Sequence, residues 1–341
     1  MAFNVHSDEQ TKFGYLPQTT WGTGIAADQA FRELKFPKGV FINPNIHQDD
    51  LDLNRSSRIQ ELGDIYIDAV HGPVLITAPE MLVTRARAAD FLYAAMQNRI
   101  SQGAVGTGYS KIYRMNASGP DFTANAGYFF TLAQKGPITA KHLLVQDCIV
   151  KSLTLDLDRS GVGAAELVRF RDVNIIARSY LTGQTLSGTW VDTDAVYYNA
   201  KDFTLKYNDA TAMSWLKFAL KIDNGAEILD KVAAGTARTF FLNPAKETAV
   251  QVDITTWFND ETSSSPVDLM ADYVAGTKRL YTLNSGTVDT ADYWKIQFRG
   301  ILRENPQGAE SRQITAPLML TVGNDGANHA LDITYADGIS Q

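Results

Sequence analysis

Residues 142–180 read HLLVQDCIVKSLTLDLDRSGVGAAELVRFRDVNIIARSY, and they carry the clearest strand pattern in the sequence. Its first half alternates, with Leu153, Leu155 and Leu157 on one face and polar residues between them. Such alternation is typical of a half-buried β-strand. A turn at residues 159–161 precedes a second run rich in β-branched residues, so the stretch predicts an antiparallel hairpin. Each strand has about a dozen residues, more than the usual five or six, which indicates a wall larger than a small sandwich.

The composition excludes several classes of protein. The chain has 341 residues, of which 45% are hydrophobic, and a formal net charge of -7. An acidic chain without a cluster of Lys and Arg is not built to grip nucleic acid. The one cysteine, Cys148, allows neither an intrachain disulfide nor a thiolate metal site, and we expect it to be a small buried hydrophobe. We also expect no signal peptide and no membrane span, because no long apolar run occurs.

The chain divides into an arm and two domains. Residues 1–45 mix aromatic residues with turn formers and have no strand or helix period, which predicts an N-terminal arm that packs on another surface. A connector rich in Gly and Thr at residues 182–193 separates a first domain, 46–185, from a second, 195–341. Because long unpatterned loops are uncommon inside compact domains, residues 101–126 predict a loop with a function or a partner.

The two predicted domains share an order of elements. In the first domain a strand at residues 65–77 precedes a capping box at residues 77–80 and a helix that runs to about Arg99. A short strand and the long hairpin follow. In the second domain a strand at 248–258, a capping box, a short helix ended by Gly276 and further strands repeat this order. The order favours an internal duplication, although the residues themselves do not match.

No catalytic, cofactor or metal site is predicted. The histidines do not stand at metal-ligand spacing from one another or from acids on a predicted helix, and they are His6, His47, His71, His142 and His329. Asp156 and Asp158 stand at alternate positions of a strand and therefore share a face. They could bind a cation or act as acid and base, they could belong to an ordinary solvated face, or they could form an acidic wall that faces a channel.

Taken in order, several strand patterns resemble the tail tube proteins, the major tail proteins of long-tailed bacteriophages. The resemblance rests on DCIVKSLTLDLDRSG and its return strand VRFRDVNIIARSY, then on KDFTLKYND and WLKFALKIDNGAEI with its Asn-Gly turn, and finally on VQVDITTWFNDET before a short helix and GTKRLYTL. It covers roughly residues 60–325 and consists of strands and turns, without a catalytic signature.

The resemblance implies a mainly β fold with short helices, a β-sandwich or barrel of the tail-tube type. Two tandem tube domains would contribute their long hairpins to a β-barrel shared between subunits around a lumen. Family members with one tube domain form hexameric rings, and members with two fused domains form trimeric, pseudo-hexameric rings. The rings stack into the conduit through which the genome passes.

The resemblance also implies roles for particular residues and partners. The hairpin at 143–180, with the strands at 215–258 or their partners at 293–322, would line the lumen, where Asp156 and Asp158 would repel DNA phosphates. The candidates for contacts between rings are Tyr15, Trp21 and Tyr109, and which of them contacts the next ring is left open. The implied partners are further copies of the chain, the tape-measure, terminator and tail-tip proteins, and double-stranded DNA that passes without specific binding. The implied location is the virion tail, after assembly in the host cytoplasm.

Two other classes remain open on the residues alone. A non-catalytic β-sandwich that binds a receptor or a carbohydrate, on a virion or a cell surface, would also be acidic and β-rich, and it would need an exposed aromatic platform. An enzyme would have to use Asp156 and Asp158, or another carboxylate pair that only the fold brings together.

Overall fold

The computed structural model describes most of the chain. The described residues are 11–18, 21–22, 24–37, 39–43, 47–50, 65–68, 73–97, 99–105, 108–114, 128–136, 142–161, 163–190, 197–231, 239–243, 249–257, 269–286, 293–305, 315–322 and 331–337.

The fold is mainly β, as the sequence predicts. In chain order the strands are β1 (Lys12–Gln18), β2 (Arg32–Leu34), β3 (Phe41–Asn43), β4 (His47–Asp50), β5 (Ile65–Asp68), β6 (Val74–Leu82), β7 (Arg99–Val105), β8 (Gly108–Arg114), β9 (Phe129–Lys135), β10 (His142–Asp158), β11 (Arg169–Gln184), β12 (Phe203–Tyr207), β13 (Thr211–Met213), β14 (Lys217–Asp223), β15 (Glu227–Lys231), β16 (Thr239–Asn243), β17 (Ala249–Trp257), β18 (Arg279–Ser285), β19 (Trp294–Leu302), β20 (Thr315–Val322) and β21 (Leu331–Asp337). The helices are α1 (Arg85–Met96) and α2 (Leu269–Ala275).

The long hairpin is confirmed as the centre of the fold. Strand β10 has 17 residues and β11 has 16, and they pair antiparallel over most of their length. The β10–β11 ladder shifts register near Asp172, and the β10–β9 ladder shifts register near Asp147; these two residues adopt positive φ values of 50° and 55°. Because bulges bend strands, β10 can pair with β9 over its first half and with β14 over its second half. The hairpin therefore belongs to two packed parts of the molecule at once.

One large antiparallel sheet contains most of the strands, and it is not closed into a barrel. A continuous ladder runs β3–β6–β11–β10–β14–β17–β20–β19. Two branches leave β19, one through β18 and β12 to β13 and the other through β21 and β8 to β7. A further branch leaves β10 through β9 and β1 to β2. Among the described strands, no series of pairings forms a closed ring, so the sheet stays open.

The pairings show the same unit twice. In the first unit β1 pairs with β2 and β9, β10 pairs with β9 and β11, and β6 pairs with β11 and β3. In the second unit β12, β13, β18, β19, β20, β17 and β14 repeat these pairings in the same chain order. Even the small hairpin β4–β5 has a counterpart in β15–β16. The structure therefore supports the internal duplication that the order of elements favours.

The two units are joined by hydrogen-bonded ladders. Strand β10 of the first unit pairs with β14 of the second, and β8 pairs with β21. The predicted division at residues 182–193 thus separates two repeats of one continuous sheet. Strand β21, the last in the chain, pairs on both sides, with β19 and with β8.

The predicted start of the first helix is wrong. Residues 77–82 belong to β6, where Val74, Ile76 and Ala78 are buried and alternate with exposed residues. The helix begins at Arg85, and Thr84 makes no side-chain capping hydrogen bond. Pro79 lies opposite the bulge at Asp172, where a missing N–H does not break the ladder. Pairing with β11 therefore overrides the local capping pattern. For α2 the predicted end is confirmed, because Gly276 has a φ of 62° directly after the helix.

Two other predicted segments are more regular than expected. Residues 12–18 and 32–34 of the predicted arm are strands of the first unit, and β1 pairs with β9 along its whole length. Most of residues 101–114 in the predicted loop belong to the hairpin β7–β8. Residues 106–107 and 115–126 of that loop lie outside the described residues.

Candidate functional site

The candidate site is a sheet surface that we call the polar wall, formed by β6, β11, β10, β14, β17 and β20. Its inner face packs on the core: Leu153, Leu155 and Leu157 of β10 are all 0% exposed. Phe218 and Leu220 of β14 continue this apolar face in the second unit. The residues that alternate with them lie at the outer face and are polar except Ala219, and on β6 this face also exposes Leu75. The wall therefore presents one wet surface that crosses from one unit to the other.

Asp156 and Asp158 both lie on the outer face, as their spacing predicts. Each is neutralised by a cation on a neighbouring strand. The Arg171 guanidinium lies 2.9 Å from the Asp156 carboxylate, and the Lys217 ammonium lies 3.0 Å from the Asp158 carboxylate. The two aspartates therefore form two cross-strand ion pairs and do not by themselves make an acidic surface.

The pKa shifts of the two carboxyl groups differ in sign. Burial raises the pKa of Asp156, and the repulsion from Asp158 adds to this, while Arg171 and Lys217 lower it. Burial also raises the pKa of Asp158, but hydrogen bonds from Ser160 and Lys217 outweigh it, so the net pKa is lowered. The Ser160 amide donates to Asp158 at 2.8 Å. The opposite signs follow from the deeper burial of Asp156 and from the hydrogen bonds that the turn at Ser160 donates to Asp158.

A recess of about 630 Å³ opens on the polar wall. Charges of both signs line it, and they are Lys151, Asp172, Lys221, Asp223 and Asp253. Two lysines and three aspartates nearly balance in charge, so the recess does not favour an anion or a cation strongly. Within the described residues, no group of three or more His, Cys, Asp or Glu side chains could hold a metal ion.

The three residues predicted as candidates for contacts between rings differ in how far the structure buries them. Tyr15 is 1% exposed, and its hydroxyl donates to Asp90 at 2.5 Å within the same chain, so it is a core residue and the prediction is corrected. Trp21 is half-buried and packs edge-on against Phe129 with ring centroids 5.2 Å apart. The backbone of Tyr109 lies in β8 opposite Asp337, but its side chain lies outside the described residues.

The corrected position of Tyr15 is part of a cluster that we call the first clamp. It consists of Tyr15 on β1, Asp90 on α1 and Arg32 on β2. The Asp90 carboxylate is 1% exposed and accepts from the Tyr15 hydroxyl at 2.5 Å and from the Arg32 guanidinium at 2.8 Å. Burial raises the pKa of Tyr15 well above its ordinary value, and the negative charge of Asp90 raises it further. The clamp fastens the helix to the first two strands of its unit.

A second clamp has the same chemistry in the second unit. It consists of Tyr207 on β12, Asp272 on α2 and Arg279 on β18. The Tyr207 hydroxyl donates to Asp272, and Arg279 donates to both carboxylate oxygens, with an Nη2–Oδ1 distance of 2.7 Å. Its guanidinium also lies 5.5 Å from the centre of the Tyr207 ring. Bidentate pairing of this kind is strong and directional.

The clamps supply the residue identity that the sequence comparison of the two halves lacks. Tyr15 and Tyr207 occupy matching positions, because each lies on the first strand of its unit and ends the ladder to the second strand. Each points to an aspartate on the helix of its unit. The cations differ in position, since Arg32 precedes α1 while Arg279 follows α2. Sequence reasoning missed the first clamp because Asp90 stands 58 positions after Arg32 and 75 positions after Tyr15.

A further buried carboxylate, Asp147, anchors the segment that carries Trp21. Asp147 is 0% exposed and accepts from Gln18, from the Arg178 guanidinium and from the Gly22 amide, the last at 2.8 Å. Its positive φ marks the bulge of β10. The bulge therefore turns an acidic side chain inward, where it is satisfied by groups from three separate parts of the chain.

Cys148 is buried, as predicted, and burial raises the pKa of its thiol. Such a thiol is not a nucleophile at neutral pH.

Comparison with known proteins does not identify the chain. No protein-family model matches it, and no curated protein matches it significantly. Within the described residues, no helix combines the length and the apolar character that crossing a membrane requires.

Proposed function

We propose that this protein is the structural subunit of a phage tail tube, in which copies of the chain form rings and the rings stack around a lumen. One observation carries the proposal: two equivalent four-stranded units, β3–β6–β11–β10 and β14–β17–β20–β19, are joined edge to edge into one sheet with one polar face. A unit that joins its own copy through sheet edges can be repeated until a ring closes.

The polar wall is the surface that we assign to the lumen. Its apolar face is buried against the core of the same chain, so the polar face is the one available to solvent and to DNA in the lumen. The Asp156 and Asp158 ion pairs, together with the charges of both signs around the recess, give a surface without a basic cluster. DNA slides over such a surface without the counterion release that drives tight binding.

The duplication favours three copies per ring. Each chain supplies two units, so three chains supply the six units that six single-unit subunits supply in a hexameric ring. The partners expected for such a tube are the tape-measure, terminator and tail-tip proteins, in a virion tail assembled in the host cytoplasm. The proposed role is structural and does not include catalysis.

Negative-stain electron microscopy of the concentrated, purified protein tests the proposal. We expect hollow tubes with a regular axial repeat, and end views with threefold symmetry and a sixfold pseudo-repeat. If the protein stays as discrete particles, even with tail-initiator proteins added, the proposal fails and a receptor- or carbohydrate-binding module becomes the better explanation.

A further inference from the structure

We infer that the outer edge of β3, together with the groove beside it, receives the β19–β20 connection of a second copy of this chain. The inference rests on the proposed ring and names the two surfaces that close it. Within the chain, the first unit joins the second through β10 and β14, and the equivalent edge of the first unit, at β3, has no described partner strand.

The internal junction joins β10 of the first unit to β14 of the second. The second half of β10 extends past β9, its neighbour on that side, and pairs with all of β14, from Ser152 opposite Asp223 to Asp158 opposite Lys217. The tip of the hairpin then covers the segment before β14. The Arg159 amide donates to the Leu216 carbonyl at 2.8 Å, and the Arg159 guanidinium lies 5.1 Å from the centre of the Trp215 ring. As a result Trp215 is only 2% exposed.

The equivalent position in the first unit is open. Strand β3 takes the place of β14, since β3 pairs with β6 as β14 pairs with β17. No described strand lies along the other edge of β3, and its Phe41 is 70% exposed. Phe41 pairs with Thr77 and therefore lies on the outer face of the sheet, whereas Ile42 pairs with Ile76 and packs against the core. An exposed apolar residue on an open sheet edge is a template for pairing with another chain.

A groove beside β3 marks the place of the missing hairpin tip. It has a volume of about 600 Å³ and follows the segment that leads into β3, as Arg159 covers the segment that leads into β14. Its lining includes the apolar residues Phe13, Phe36, Pro37 and Val40. It also includes Lys12, Glu33 and Lys35, among which Glu33 accepts from both lysines.

The occupant follows from the same equivalence. In the second unit β19 and β20 take the places of β10 and β11, so the segment that would fill the groove connects Leu302 to Thr315. The hairpin continues past β19, because the Arg303 amide donates to the Met319 carbonyl at 2.9 Å. The connection reads RENPQGAESRQI, and its acids and arginines match a groove lined by both lysine and glutamate. Within one chain this connection belongs to the second unit, so a neighbouring copy must supply it.

Disulfide trapping between two full-length variants tests the inference. One chain carries Phe41→Cys, and the other carries a cysteine at Gln307, Ala309 or Glu310, so that a range of registers is sampled. The native Cys148 is buried and does not compete. The variants are mixed, concentrated and oxidised under mild, reversible conditions. The matched control replaces Phe41→Cys by Val274→Cys, since Val274 on α2 is 75% exposed and lies outside the groove.

We expect on the order of tenfold more covalent heterodimer from Phe41→Cys than from the control, because docking raises the local concentration of the paired thiols. Equal yields from the two positions overturn the inference. Tubes that form without this cross-link also overturn it and leave the proposed function standing. A specific cross-link in particles that never form tubes overturns the proposed function and leaves the docking site standing. A chain that stays monomeric at high concentration and gives no cross-link overturns both.

Discussion

The first clamp is expected to act as one energetic unit, and a double-mutant cycle measures this. Tyr15→Phe removes a single hydroxyl and keeps the ring that packs edge-on against Phe91 and Phe130. The lost hydrogen bond had a charged acceptor, for which the net contribution is about 1.5–3 kcal/mol. Because Asp90 is 1% exposed, water does not replace the hydroxyl easily, and we expect a loss of about 2 kcal/mol.

Asp90→Asn removes the charge and keeps the shape. It weakens the bond from Tyr15 and leaves Arg32 without its anion. Since the Arg32 side chain is 35% exposed, solvent screens that pair, and it contributes about 1 kcal/mol or less. The single variant should therefore lose about 3 kcal/mol in the free energy of unfolding. The double variant should also lose about 3 kcal/mol, which gives a coupling of about 2 kcal/mol, or about 30-fold in the folding equilibrium.

The assay is urea unfolding at neutral pH and low protein concentration, followed by tryptophan fluorescence. Tyr273→Phe on α2 is the matched control, because Tyr273 belongs to neither clamp, and we expect a loss below about 0.5 kcal/mol for a change of this kind. Losses that simply add in the double variant would show that Tyr15 and Asp90 do not depend on each other, and the clamp would be refuted.

Three further predictions concern other parts of the chain. Burial raises the pKa of Tyr207 to about 12, and its bond to Asp272 adds to this, so between pH 10 and 12 the folded chain keeps a proton that the unfolded chain loses. The free energy of unfolding should therefore fall as the pH rises through that window, and it should fall less steeply for Tyr207→Phe than for the native chain. Unfolding experiments at each pH measure the two slopes, and equal slopes contradict the prediction. Replacing both Asp156 and Asp158 by Lys puts new cations beside Arg171 and Lys217. Tubes should still assemble, but they should retain double-stranded DNA in low salt and slow genome ejection, whereas tubes of the double Asn variant should do neither. Unchanged ejection by the Lys variant argues against the lumen assignment. Gly188→Ala places a methyl group 2.1 Å from the Gln29 carbonyl oxygen and should lower the free energy of unfolding by about 1–3 kcal/mol. The control Gly39→Ala meets nothing within 4 Å and should keep the native stability. Equal stability of the two variants would refute this packing argument.

The local patterns of the sequence were sufficient for the strands of the hairpin and for their faces. Leu153, Leu155 and Leu157 alternate with polar residues, and a period of two can bury one face only if the segment is a strand. The same reasoning placed Asp156 and Asp158 on one face. The repeated order of elements was also readable, because each strand and helix carries its own period.

Partners that are distant along the chain were not readable. The capping pattern at residues 77–80 is a good local signal, yet pairing with β11 makes this segment a strand. The sequence placed Tyr15 in an unpatterned arm, but in the structure Tyr15 is buried and its hydroxyl donates to Asp90, 75 positions later in the chain. The cations that neutralise Asp156 and Asp158 stand on other strands and become neighbours only through the register of the sheet.

The sequence alone was therefore sufficient to identify the long hairpin and the apolar side of its strands, since these properties depend on neighbouring residues; it did not identify the strands at 12–18, 99–105 and 108–114. The tertiary structure decided which strands pair, where the two units join and which edge is left open. Those features depend on contacts such as β10 with β14, whose energy comes from residues that chain folding brings together and that no local pattern records.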